Sequence, residues 1–155
     1  MGKPGFRMNC VIAAGAALCA VPAVAQNPHR APRVEATRPL RFGSIAAGTA
    51  AGTVTVSPSG SLSCVGVRCL GGASAAMFTI TGAKDYLVAI TVSPALLSNG
   101  GGATLSAELT PSDRTLVLRP GNNKNPFTVG GTLRIAARQA EGNYAGTYLV
   151  TVDYL

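Results

Sequence analysis

Tryptophan is absent from the 155-residue chain, and histidine occurs once, as His29. A single imidazole, with no second one and no base placed beside it, assembles neither a Ser-His-acid arrangement nor a three-ligand zinc site. Charge is scarce too: Asp, Glu, Lys and Arg make up 12% of the residues, about half the usual share of ~25%. The six carboxylates are Glu35, Asp85, Glu108, Asp113, Glu141 and Asp153. Most stand beside glycine, proline or asparagine in expected loops, and no spacing singles out two of them as the acid and base of a glycosidase. The run Asn99-Gly100-Gly101-Gly102 lacks the Lys-Ser/Thr and the helix that make a glycine-rich loop a phosphate cradle. The expectation is a chain that is not an enzyme and carries no metal or cofactor. Aromatic residues are only 5% and never alternate with the basic ones, so the stacking platform of a nucleic-acid reader is missing.

Glu and Lys are rare, whereas glycine is abundant at 19 residues. Threonine and valine accompany it, a composition that disfavours helices and suits short strands joined by tight turns. An apolar fraction of 47% excludes a disordered chain. The first 25 residues read as a cleaved export signal. Lys3 and Arg7 open it, Cys10 to Val21 is uncharged and apolar, and Ala23-Val24-Ala25 offers small residues for processing before Gln26. The apolar run is shorter than the ~20 residues a membrane-spanning helix needs. No transmembrane segment is therefore expected in the mature chain, which is placed in the periplasm, at the cell surface or in an extracellular fibre. Loss of Lys3 and Arg7 leaves 11 basic against 6 acidic residues, a net charge of +5.

Residues 26–38 (QNPHRAPRVEATR) are polar, hold Pro28 and Pro32, and show no periodicity. A flexible or extended leader is expected there, with one domain over 39–155. Within that domain Gly52 to Val56 alternates until Pro58-Ser59-Gly60, a turn cluster. Met77 to Thr81, Tyr86 to Ser93, Ala103 to Leu109, Thr115 to Leu118 and Thr132 to Ala137 also read as strands. At the end of the chain, Tyr148, Val150, Val152 and Tyr154 alternate with Leu149, Thr151 and Asp153. The spacing predicts eight or nine short antiparallel strands, an all-β sandwich or barrel.

Cys64 and Cys69 remain once the signal is removed. On one straight strand their Cα atoms would lie roughly 17 Å apart at ~3.3 Å per residue, beyond the ~7 Å a disulfide tolerates. They are either free thiols or bonded across a reversal at Val65-Gly66-Val67-Arg68. An oxidising compartment favours the bond, expected as a staple at a hairpin tip.

Several segments together resemble a family of small secreted proteobacterial domains known as domain of unknown function 4402. They are Phe42-Gly43-Ser44-Ile45, Gly52 to Val56, Leu70-Gly71-Gly72, Ala76 to Gly82 and Gly142 to Tyr154. The family looks like pilin subunits of the chaperone–usher kind. The resemblance implies an immunoglobulin-like β-sandwich with a penultimate tyrosine, here Tyr154. It also implies a final strand bordering a groove, with Tyr148, Val150, Val152 and Tyr154 as its candidate residues. In such pilins a periplasmic chaperone, and then the leader of a like subunit, fills the groove by strand addition. The expected function is an exported, non-catalytic structural or adhesive surface subunit, fimbrial in kind. The alternative is a soluble periplasmic module that binds a glycan or small ligand through loops such as 98–102 and 120–126. A good donor strand alternates large apolar residues, and the leader offers only Val34 and Ala36.

Overall fold

The structure, a computed structural model, describes residues 31–121 and 125–155. The expected export signal, the first five residues of the leader and part of the 120–126 loop lie outside the described residues. Among the described residues there are thirteen strands and no helix. In chain order they are β1 (Arg33–Arg38), β2 (Ser44–Ala46), β3 (Gly52–Val56), β4 (Leu62–Val65), β5 (Arg68–Gly71), β6 (Ala76–Thr81) and β7 (Leu87–Val92). There follow β8 (Ala95–Ser98), β9 (Thr104–Pro111), β10 (Thr115–Val117), β11 (Pro126–Ile135), β12 (Ala145–Thr147) and β13 (Val150–Tyr154).

Every ladder is antiparallel. Eight strands form one sheet, with the path β1-β6-β11-β9-β8-β12 and with β3 and β4 joined to it through β11. Its centre is β11. Along Val129–Arg134 it pairs with β9. Its other edge is shared between β6, along Pro126–Val129, and β3, along Gly131–Ile135. One face of β11 is buried throughout, at Phe127, Val129, Gly131, Leu133 and Ile135, while Thr128, Thr132 and Arg134 on the other are half-buried or exposed. The strand begins well before the Thr132 expected from periodicity, because the pair Gly130-Gly131 interrupts the apolar alternation in its middle. Gly130 is required there, because a Cβ would collide with the carbonyl oxygen of Val56 and the backbone of Ser57 and Pro58.

The facing layer consists of two smaller sheets, β10-β7-β13 and β2-β5. One core lies where β6 and β11 face β7 and β13: Phe78, Ile80, Phe127 and Val129 pack with Val88, Ile90, Val152 and Leu118. The other gathers Val54, Leu105, Ala107, Leu133 and Ile135 under Phe42, Ile45 and Val67. Each fully buried valine, leucine, isoleucine or phenylalanine among them contributes about 1.5–3 kcal/mol. The result is the expected all-β sandwich. It has more strands than the eight or nine anticipated, because the chain crosses between layers inside runs that look continuous in sequence. Tyr148 and Leu149 separate β12, in the large sheet, from β13, in the small one.

Cys64 and Cys69 are disulfide-bonded with Cα atoms 6.3 Å apart. The reversal expected between them is present, with Gly66 at a positive φ of 73°, but the flanking strands do not form a hairpin. β4 pairs with β3 and β5 with β2, so the bond ties the large sheet to the small two-stranded one at a corner.

Candidate functional site: a groove between the first and last strands

The segment expected as a leader is extended from Arg33, and it forms β1 at the edge of the large sheet, where Val34 lies opposite Ile80 and Ala36 opposite Phe78. Among the described residues its ladder partner is β6 alone. At the other end of the chain β13 pairs, among the described residues, with β7 alone, through Val150–Tyr154 against Val88–Val92. β1 and β13 approach each other, and an apolar cavity of about 470 Å³ opens between the two segments. Val34, Ala36 and Leu40 form one wall, Tyr148 and Val150 the other, with Phe78 beside them.

A wider trough of about 870 Å³ continues from it, and Leu40 lines both. Here the first wall is Phe42 and Ile45 around β2, while the second is the 139–144 turn with Tyr144. The floor comes from Leu97, Leu105 and Leu133 of β8, β9 and β11. β2 reaches its place because Gly43 adopts a φ of 82° and because any Cβ there would strike the Gly71 carbonyl and, at 2.9 Å, the Ala73 nitrogen. The opposite wall is braced by Tyr144, whose hydroxyl donates to the Ala140 carbonyl (2.7 Å) and accepts from Gln139 Nε2 (2.8 Å).

The two cavities form one groove along the molecule, bounded by the first residues of the domain on one side and the last on the other. At the narrow end two sheet edges, each with one ladder partner among the described residues, flank an apolar pocket, whereas the wide end is lined by polar as well as apolar groups. The titratable side chains lining it are Arg41, Glu141, Tyr144 and Tyr148. Tyr148 stands edge-on to Phe78, with ring centroids 6.3 Å apart, and Phe78 stacks on Phe127 at 5.2 Å. Burial pushes the Tyr148 phenol above its ordinary pKa of 10.0, since the charged form loses its hydration. Among the described residues no group of three or more His, Cys, Asp or Glu could hold a metal ion. No helix among them is long and apolar enough to cross a membrane.

Of the four residues expected on the final strand, Tyr148 precedes β13 and the other three lie on it, and the four divide between different environments. Tyr148 and Val150 line the groove. Val152 is buried in the core against Val88 and Ile90. Tyr154 lies farther along, its hydroxyl accepting the Ala83 N–H at 2.8 Å and its ring edge-on to Tyr86. Sequence reasoning missed the facing wall, Val34, Ala36 and Ile45. Its signal was the alternation of Val34 with Ala36 and Leu40 with Phe42, obscured by the arginines and prolines between them. In the 98–102 loop the Asn99 side chain is engaged with its own turn, accepting the N–H groups of Gly101 (2.9 Å) and Ala103 (3.1 Å).

Fold and groove define an all-antiparallel β-sandwich with a groove between β1, at the edge of the large sheet, and β13, at the edge of a small one. The chain belongs to DUF4402, a domain of unknown function, whose family model matches residues 33–154. The match begins at the first residue of β1 and ends at the last of β13, the two strands that bound the groove. No curated protein matches the chain, and no solved structure does.

Proposed function

We propose that this chain is an exported, non-catalytic structural or adhesive subunit of the cell surface, pilin-like, whose groove accepts an added β-strand. The observation carrying this reading is the groove itself. At its narrow end the walls are β1 and the segment leading into β13, each strand with one ladder partner among the described residues, and the lining is apolar, so an extended segment gains backbone hydrogen bonds at the edges while alternate side chains enter the pocket. A periplasmic chaperone or another subunit is the class of partner that supplies such a strand. Electron microscopy of cells with and without the gene tests the role: a surface fibre lost on deletion supports it, and an unchanged surface with a soluble periplasmic pool counts against it.

One observation favours a second reading, a periplasmic module for a small ligand. The wide end of the groove, about 870 Å³, falls in the ~300–1,000 Å³ range of ligand sites. A soluble glycan or small amphiphile that binds the purified chain with micromolar affinity, displaced by no peptide, would select it.

A further inference from the structure

Resting on the small-ligand reading of the wide end, we propose that the groove holds a single-chain amphiphile with a zwitterionic head. Its aliphatic tail lies in the narrow end. Its head, a phosphate and an ammonium joined by a short linker, sits between Arg41 and Glu141. A lysophospholipid is the chemical class.

The two ends of the groove differ in polarity and are joined at one residue. No charged side chain lines the narrow end, where Val34, Leu40, Phe78 and Val150 supply an apolar surface. Leu40 carries that surface into the wide end, over half-buried Leu97 with Leu105 and Leu133 beneath. There it meets polar groups, among them Ser44, Gln139 and Asn143. An apolar strip that runs into a polar basin matches a ligand that is oily at one end and polar at the other. A glycan, polar throughout, gains nothing from the narrow end. A plain hydrocarbon strips water from the polar basin without replacing its hydrogen bonds, which costs free energy.

The charges at the wide end set the character of the head. Two charged residues line it, Arg41 on the first wall and Glu141 on the second. Among the described residues the one salt bridge joins Arg134 to Glu108, so Arg41 and Glu141 pair neither with each other nor with a third residue described. Both stand on backbone that is fastened elsewhere. The Arg41 N–H donates to the Ser74 carbonyl and the Arg41 carbonyl accepts the Ser74 N–H, each at 2.8 Å. On the other wall the Glu141 carbonyl accepts from Asn99 Nδ2 at 3.4 Å, and Tyr144 holds the same turn through the Ala140 carbonyl. Attachment points fixed before a ligand arrives reduce the ordering cost of binding. A lone anion suits Arg41 and is repelled by Glu141, and a lone cation meets the reverse. A head bearing both charges offers each residue its opposite.

The test titrates the full mature chain with single-chain amphiphiles of equal tail length, each below its micelle-forming concentration. The probes are lysophosphatidylethanolamine, an alkyl carboxylate, an alkylammonium and an alkyl glucoside. Calorimetry gives Kd, and NMR shifts give the site. The lysophospholipid is expected to bind most tightly, shifting Tyr144 at the wide end together with Tyr148 and Val150 at the narrow end. Arg41→Gln and Glu141→Gln are each expected to weaken it by about three- to fivefold and to leave the glucoside unchanged. Both side chains are exposed, so neither substitution reaches a core. A glucoside that binds as tightly as the lysophospholipid, or indifference to both substitutions, overturns the zwitterionic head and leaves the small-ligand reading standing. Shifts at the wide end alone, or on another surface, overturn the placement of the tail and the inference with it. No binding by any of the probes overturns the inference together with the amphiphile form of that reading.

Discussion

At the scale of single residues, the most consequential polar side chain is one that the strand pattern gives no reason to notice. Asn125 is 2% exposed, yet every polar atom of its amide is satisfied. Its Nδ2 donates to the carbonyls of Ile80 (3.1 Å) and Arg119 (2.9 Å), and its Oδ1 accepts the Arg119 N–H at 2.7 Å. It thus fastens the end of β6 to the chain leaving β10. Replacing it with alanine leaves buried backbone groups without partners, and Asn125→Ala is expected to cost about 3 kcal/mol, read from the denaturant midpoint. Tyr148 supplies a second residue-scale expectation, in the alkaline range. Its folded pKa is raised above the unfolded value of 10.0, so its neutral form is favoured by the fold. The associated stability is complete below pH 10 and is lost as pH rises through the folded value. Tyr148→Phe should flatten the fall in stability above pH 10, and a variant that falls as steeply as the parent would refute a half-buried phenol at the groove.

At the scale of elements, the places where one strand becomes two decide the architecture. Cys64 and Cys69 close a small loop across such a corner. Loop-closure entropy makes that bond worth about 2 kcal/mol, and the double substitution Cys64→Ser with Cys69→Ser should lower stability by that amount while leaving the β circular-dichroism spectrum intact. β1 makes the stronger demand. Truncation of residues 26–32 should leave the thermal midpoint within a degree or two, whereas truncation through Arg38 uncovers Phe78 and Ile80 on the edge of β6 and should abolish cooperative unfolding. Equal effects of the two truncations would show that β1 adds nothing to the sheet. Regular period-two strands such as β3, β7 and β9 were legible in the sequence, because one buried face and one wet face write alternation directly into the residues. β1, β2 and β8 were not. β1 is an edge strand in which only Val34 and Ala36 are apolar among Arg33, Glu35, Thr37 and Arg38, and β2 is too short for a period to show. β8 follows Pro94 and carries Leu96 on an exposed position and Leu97 on a half-buried one, which breaks the pattern. The groove was half legible for the same reason: Tyr148 and Val150 announce one wall, while the other depends on which strand the topology sets opposite them.

At the scale of the whole molecule, the sandwich is unevenly closed, and that unevenness predicts how it opens. β11 is flanked along its length by β9 on one side and by β6 and β3 on the other, and its side chains enter both cores. Its amides can exchange with solvent only when the large sheet comes apart. Among the described residues β13 has one ladder partner, and β2 is a three-residue strand paired only with β5, so each can separate without disturbing β11. Local openings of this kind cost less than global unfolding. Native-state hydrogen exchange should therefore separate the chain into two classes. The β11 and β9 amides should report the global stability, and those of β13 and β2 should exchange at least tenfold faster, a gap of about 1.4 kcal/mol or more in opening free energy at 25 °C. Addition of a strand that fills the groove should slow β13 and β2 toward the β11 rate and leave β11 itself shifted only by the binding free energy. If the amides of β13 and β11 exchange together in the free chain, the second layer is already closed as a unit, and the edges of the groove are not the labile part of this fold.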